Sequence, residues 1–353
     1  MEYMKRRISV KMWVSILTIL MLAIVLYLAR HEIERAYGVL DEVNLWILLL
    51  LVPLQLVSYF AAGEMIFSYL RRQKYVKNVS PLQLPRLALE MNFVNHVLPS
   101  GGVSGISYIG WRLRHFGVSA SRSTSAQLVR MVAAFTSYGA LLVLAVLFMA
   151  VDGNVNRWVV LASVGLVVVM LGALAGAVYL LERRRLLERF ANRLARSLNA
   201  IVRRITFKRI KSVVTTKKME HFFGEIQDDY AFMRRNKKVF VRPFWWGILF
   251  SVTDIAMFYV AFLALGHPVN PAPLVIAYGL AATAGFFMVT PGGAGAYEAI
   301  MVMFLTVAGL NPGIALLAIL LTRVLLMVGT IALGYIFYQQ AIMTHGKKPP
   351  TDI

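Results

Sequence analysis

Six stretches of this chain are about as long and as apolar as a helix must be to cross a ~30 Å hydrocarbon core, which takes about 20 residues. They are Met12–Ala29, Leu45–Gly63, Met131–Val151, Trp158–Leu181, Phe244–Leu265 and Pro312–Gln340. The fifth contains one acid, Asp254, and the sixth one arginine, Arg323. A 59% hydrophobic, 15% charged composition with mean hydropathy +0.66 lies outside the soluble globular range. The expected fold class is therefore an all-α polytopic membrane protein. Lys5, Arg6 and Arg7 precede the first window, yet its apolar run is too long for a secretory signal and no small-residue cleavage pattern follows. It reads as a retained helix. The absence of cysteine excludes disulfides, thiolate metal sites and cysteine nucleophiles.

In a soluble protein a formal charge of +20 would suggest nucleic acid. Its placement argues otherwise. Of 37 Lys and Arg, 32 fall in segments that alternate with the apolar windows and are assigned to the cytoplasm, and only Arg30, Arg35 and Arg157 fall outside. Arg130 and Arg323 lie within helices. The positive-inside rule then puts both termini in the cytoplasm. The expected location is the cytoplasmic membrane of a prokaryote. The linker 182–242 holds 18 basic against 6 acidic residues, and Leu187, Phe190, Leu194, Leu198, Ile201 and Ile205 recur every three or four positions. That pattern makes a basic amphipathic helix suited to an anionic inner leaflet. A membrane surface accounts for the charge, so no nucleic-acid partner is expected.

Two segments interrupt the apolar pattern without being long enough to span. Residues 81–110 and 271–310 each contain a Pro-Gly break, "LPSGG" at 98–102 and "TPGGAG" at 290–295. Both are expected to be re-entrant hairpins of broken helix. Pro99 and Pro291 are 192 positions apart, Arg130 and Arg323 are 193 apart, and Glu64 and Asp254 are 190 apart. The shared offset suggests two repeats. Residues 1–151 form the first with hairpin 81–110, and 152–345 the second with the linker 182–242 and hairpin 271–310. Residues 346–353 are a cytoplasmic tail. Three crossings and one hairpin per half invert the second repeat relative to the first. Such repeats with broken helices build secondary transporters, with the site where the breaks meet.

The chemistry follows from the breaks. Non-helical backbone is tolerated at membrane depth only where protein or water covers it. A half-helix starting near Ala296 would turn its unpaired N–H groups and positive end toward the membrane's middle, where phosphate or carboxylate is favoured. Candidate substrate-binding residues are Asn95, Pro99, Ser100, Gly101, Gly102 and Arg130 in the first repeat. In the second they are Thr290, Pro291, Gly292, Gly293, Gly295, Glu298 and Arg323. An intramembrane charge costs roughly 2.5–3.5 kcal/mol on insertion scales, so each needs a partner or a role. Arg130 and Arg323 either hold a phosphate head group or pair with Glu64, Asp254, Glu90 or Glu298. Glu298 either caps its helix or binds a coupling ion or substrate amine. Asp254 is a candidate proton carrier, with an arginine pair as the alternative. Asn92 and His96 accompany Glu90 and imply water access. No HExxH, HxxxxD or metal-spaced acid pair occurs, and "PGGAG" lacks the GK[ST] of a nucleotide loop. No catalytic residue, metal or cofactor is expected.

At "NHVLPSGG", Arg130, "TPGGAGAYE" and Arg323 the chain resembles the flippase-like membrane domain family, also called the lysylphosphatidylglycerol synthase transmembrane region. The family's Pro-Gly-Gly-x-Gly-x-x-Glu stretch with a following arginine is matched by Pro291, Gly292, Gly293, Gly295, Glu298 and Arg323. Its first motif is matched by Asn95, Leu98, Pro99, Gly101 and Gly102, with one residue between proline and glycines. The resemblance covers roughly residues 10–340 and implies lipid translocation. In multiple peptide resistance factor proteins a domain of this kind moves aminoacylated phosphatidylglycerol, and a separate soluble domain makes it. The 353 residues leave no room for that soluble domain. The expectation is a stand-alone translocator of a phosphate-bearing lipid, which forms homo-oligomers or acts alone. The alternative is a scaffold for an envelope-lipid synthase or glycosyltransferase; a lipid-modifying enzyme and a small-solute transporter are further alternatives.

Overall fold

The computed structural model describes residues 43–76, 79–98, 103–151, 157–183, 216–285 and 295–345, with isolated positions between. The window Met12–Ala29 apart from Tyr27, residues 99–102 and 290–294 of the two Pro-Gly breaks, most of the amphipathic stretch of the linker and the tail lie outside the described residues.

Every described element is helical. In chain order they are α1 (Leu45–Leu48), α2 (Leu51–Arg72), α3 (Gln83–Val97), α4 (Val103–Arg114), α5 (Ala120–Val151) and α6 (Arg157–Glu182). Then come α7 (Thr216–Arg235), α8 (Lys238–Ala264), α9 (Pro271–Gly285), α10 (Ala296–Val307) and α11 (Pro312–His345). Asn44 starts the bundle by accepting the Trp46 and Ile47 N–H groups at 3.1 and 3.3 Å, a side-chain N-cap. Five helical stretches are long and apolar enough to cross a membrane: Leu45–Arg72, Ala120–Met149, Val160–Leu180, Lys238–Ala264 and Pro312–Thr344. They coincide with five of the six sequence windows. The chain is an all-α, multi-pass membrane protein.

Burial separates centre from rim. In its most apolar window α8 is 56% buried and α6 only 18%, so α8 is the hub and α6 faces outward. Trp46, Leu147, Phe148 and Val168 are exposed, as lipid-facing side chains must be where solvent is hydrocarbon. α8 packs on α2, α5 and α11. The α2–α8 pair is antiparallel. The Asn44 N–H donates to the Ala264 carbonyl, Ser58 meets Asp254, Phe60 stacks edge-on against Trp246, and Val239 joins the cluster around Ile66–Leu70.

The short helices come in matched pairs. α3 and α9 have 15 residues each, and α4 and α10 have 12 each. α3 packs on α4, and α9 on α10. Each pair also reaches across the molecule, α3 onto α11 and α9 onto α5. Phe93 of α3 lies against Tyr335 and Tyr338, with Val97 next to Met327 and Ile331. Reciprocally, the Tyr138 hydroxyl of α5 donates to the Val275 carbonyl at 2.7 Å.

α3 reaches α2 through a contact only glycine allows. A Cβ on Gly63 would stand 2.9 Å from Leu84 Cβ and 3.0 Å from its carbonyl oxygen. Gly63→Ala is therefore expected to cost about 1–3 kcal/mol by overpacking. A lowered unfolding midpoint in detergent checks this; an unchanged midpoint contradicts the close approach.

Candidate functional site

Both breaks are written into the residues that border them. α3 stops at Leu98, whose φ −103° and ψ 116° are extended, as the residue before a proline prefers. α10 starts after Gly295, whose φ of +87° suits glycine and few other residues. The sequence expected a half-helix from near Ala296, and α10 begins there.

Glu298, in the first turn of α10, does two things. Its Oε2 accepts the Gly295 N–H at 2.7 Å, which caps the helix start. Its Oε1 lies 2.6 Å from Arg323 Nη1 of α11, with both side chains largely buried. The Arg323 guanidinium also sits 4.4 Å over the Tyr297 ring, a cation–π contact. The capping and ion-pair alternatives for Glu298 and Arg323 are thus both realised, in one cluster. α3, which ends beside His96, and α10 both pack on α11, the helix that carries Arg323. The leading helix of the first short pair and the trailing helix of the second therefore share α11 as a neighbour.

Arg130 differs. It lies ten residues into α5, about 15 Å along the axis at 1.5 Å per residue. The residue is part-buried, its Nε is buried without a hydrogen-bond partner, and no ion pair to it is found among the described residues. None of the four acids weighed as its partner holds it.

Those acids are engaged elsewhere. Glu64 pairs with Arg71 about two turns along the same helix. Glu90 is fully buried and binds Arg86 Nε and Arg112 Nε, each at 2.9 Å, and the Tyr108 hydroxyl at 2.8 Å. Asp254 accepts hydrogen bonds from Ser58 Oγ at 2.6 Å and the Tyr278 hydroxyl at 2.8 Å. Two hydroxyls, and no cation among the described residues, hold it, so its arginine-pair alternative is not realised there. Asn95 Oδ1 accepts the Gly105 N–H at 2.9 Å and ties the two limbs of the first hairpin together. Pro99, Ser100, Gly101, Gly102, Thr290, Pro291, Gly292 and Gly293 lie outside the described residues.

Sequence reasoning passed over several polar groups that the helices bring together. Gln55 Nε2 donates to Tyr59, to the Leu326 carbonyl and to Thr330, linking α2 with α11. Ser123, Gln127 and Arg130 recur at i, i+4 and i+7 on α5, which places them on one helix face. That spacing was the available signal.

This arrangement of broken helical pairs, buried charges and long apolar helices belongs to a class of multi-pass membrane domains. The chain matches the family described as "Lysylphosphatidylglycerol synthase TM region" over residues 12–334 and belongs to it. Curated relatives include a protein of Methanothermobacter thermautotrophicus named "UPF0104 membrane protein", 25% identical over 52% of this chain and 53% of its own length. Another match under the same name and from the same organism is 23% identical over 55% of this chain and 54% of the relative. The chain spans about half the length of the curated relatives it matches. No solved structure matches.

Proposed function

We propose that this protein moves a phosphate-bearing lipid between the leaflets of the cytoplasmic membrane without chemically altering it. Candidate cargoes are a phospholipid, an aminoacyl-phospholipid or an isoprenoid-phosphate-linked glycan. The observation that carries the reading is that one helix of each broken pair, α3 and α10, packs on α11, where a buried ion pair sits. Arg323 of α11 is bound to Glu298 at the start of α10, and Phe93 of α3 meets Tyr335 and Tyr338 of the same α11. A polar head group crossing hydrocarbon needs such a protein-lined polar station at the point where the helices open.

Inverted repeats supply the two-sidedness that alternating access requires. The equal lengths of α3 and α9 and of α4 and α10 support them, as do the reciprocal docking of α3 on α11 and α9 on α5 and the antiparallel α2–α8 pair. In this reading Arg130, Arg323 and the break residues at 99–102 and 290–295 face the head group, and Asp254 is the candidate coupling carboxylate. The basic linker holds the anionic inner leaflet, and both termini are cytoplasmic. Single cysteines replacing Pro268 and His345 test the topology, since the native chain has none. The expected labelling is from outside at position 268 and from inside at 345; labelling of both from one side contradicts the topology.

Reconstitution into liposomes with fluorescent lipids of different head groups tests the function. The expected result is leaflet exchange above that of protein-free vesicles for at least one phosphate-bearing lipid and none for a neutral diacylglycerol analogue. Equal exchange with and without protein across all head groups overturns the proposal.

A further inference from the structure

The two halves are alike in backbone and unlike in charge. In the second half, Arg323 meets a carboxylate in the first turn of α10. In the first half, α4 has no acid in its first turn. α4 and α5 pack together, and two contacts set their register. Ser123 Oγ faces Gly110, where a Cβ would be 3.7 Å away, and Gln127 Nε2 donates to the Ile106 carbonyl at 3.2 Å. Four residues forward on α5 correspond to four backward on α4. The next step brings Arg130 level with Val103, the start of α4.

On that register Arg130 is level with the electropositive end of a twelve-residue helix, so two positive features fall at the same height. Asn95 takes up the Gly105 N–H there, and a neutral amide adds no compensating charge. The α5 face leading to this point is polar and incompletely bonded. Ser123 is fully buried and Gln127 is 6% exposed, yet among the described residues Ser123 Oγ and Gln127 Oε1 have no hydrogen-bond partner, and neither has Arg130 Nε. Buried polar atoms are normally satisfied, so three on one face of one helix need a reason. The second half offers a control within the same chain. At the positions 193 residues on, Leu316 and Leu320 replace Ser123 and Gln127. There the face is apolar and the arginine already has its carboxylate.

We propose that the α4–α5 face formed by Ser123, Gln127 and Arg130 is the anion-binding half of the site, a polar track from the start of α5 to Arg130 that takes a phosphate ester. Arg130 supplies the charge-assisted bonds, Ser123 and Gln127 receive the hydroxyl or amine groups beside the phosphate, and the Glu298–Arg323 half stays internally neutral. The inference rests on the translocator reading and adds to it which half binds the anion and along which face. With the assigned topology the track opens to the cytoplasmic leaflet.

The test uses the purified full-length chain in neutral detergent and follows the melting midpoint against three probes: dihexanoyl phosphatidylglycerol, inorganic phosphate and dihexanoylglycerol. The phosphatidylglycerol probe is expected to raise the wild-type midpoint saturably, and dihexanoylglycerol to leave it unchanged. Arg130→Gln and Gln127→Leu are each expected to weaken the effect about tenfold or more. Gln127→Leu also loses its bond to Ile106, so its ligand-free midpoint should fall slightly, whereas Arg130→Gln, which removes an uncompensated buried group, should melt at or above wild type without ligand. A structural role for Arg130 makes the opposite demand, a lower ligand-free midpoint. Undiminished binding by Arg130→Gln, or its marked ligand-free destabilisation, overturns the site and leaves the translocator reading standing. Wild type that binds through Arg130 but moves no lipid in vesicles overturns the translocator and leaves the site. A shift with inorganic phosphate equal to that with the lipid keeps the anion site and removes the lipid as its source.

Discussion

Glu90→Leu is expected to lower the stability of the protein by about 3–5 kcal/mol, the largest effect of any single substitution considered. Glu90 has no exposed side-chain surface, and it is the shared acceptor for Arg86, Arg112 and Tyr108. Arg112 is itself 7% exposed by side chain, so removing the carboxylate leaves a buried guanidinium without that counter-charge. The penalty arises mainly from the cation that stays behind, and less from the bonds that are lost. Glu90→Leu combined with Arg112→Leu should therefore recover a substantial part of the deficit. Denaturant or thermal unfolding in detergent measures both. A double variant no more stable than Glu90→Leu alone contradicts the pairing.

The second large effect concerns Glu298 and Arg323. Their side chains are 13% and 19% exposed, less enclosed than Glu90, so each single glutamine substitution is expected to cost about 2–3 kcal/mol. Glu298→Gln also weakens the cap on Gly295, since a neutral amide oxygen accepts an N–H less strongly than a carboxylate does. In a double-mutant cycle the coupling should be about 1–3 kcal/mol. Additivity of the two changes contradicts a direct pair. The same cycle run on Arg130 and Glu298 should show none, because Arg130 has no ion pair among the described residues.

Residues separated by a few positions carried most of what could be read from the sequence alone. Apolar run length located the five described spanning segments, and proline and glycine located both helix breaks to within a residue or two of where α3 stops and α10 starts. These signals are local: a proline fixes its own φ and restricts its predecessor wherever it stands. Partner choice among charges was not legible. Glu90 and Arg112 are 22 positions apart, and Ser58 and Asp254 are 196 apart; hydropathy at either position does not say which helix will face it. Arg71 and Arg112 stood as topology-setting charges at helix ends. They also reach back along or across the bundle to neutralise Glu64 and Glu90, leaving Arg130 without an ion pair among the described residues. The Ser123–Gln127–Arg130 face had a readable period, but a polar start to a membrane helix is common, and only the packing of α4 gave that face a neighbour.

The proposed route for a head group requires the ends of two hairpins, distant in sequence, to lie side by side within the bundle. Cysteines placed at His96 and Tyr297 in this cysteine-free chain, joined by a short bifunctional maleimide in native membranes, measure that directly. The account expects efficient intramolecular cross-linking, abolished when one cysteine is moved to Pro268 in the exposed loop between α8 and α9. No cross-link between 96 and 297, in protein that remains folded and membrane-inserted, would contradict a shared polar site and with it the proposed route for a lipid head group.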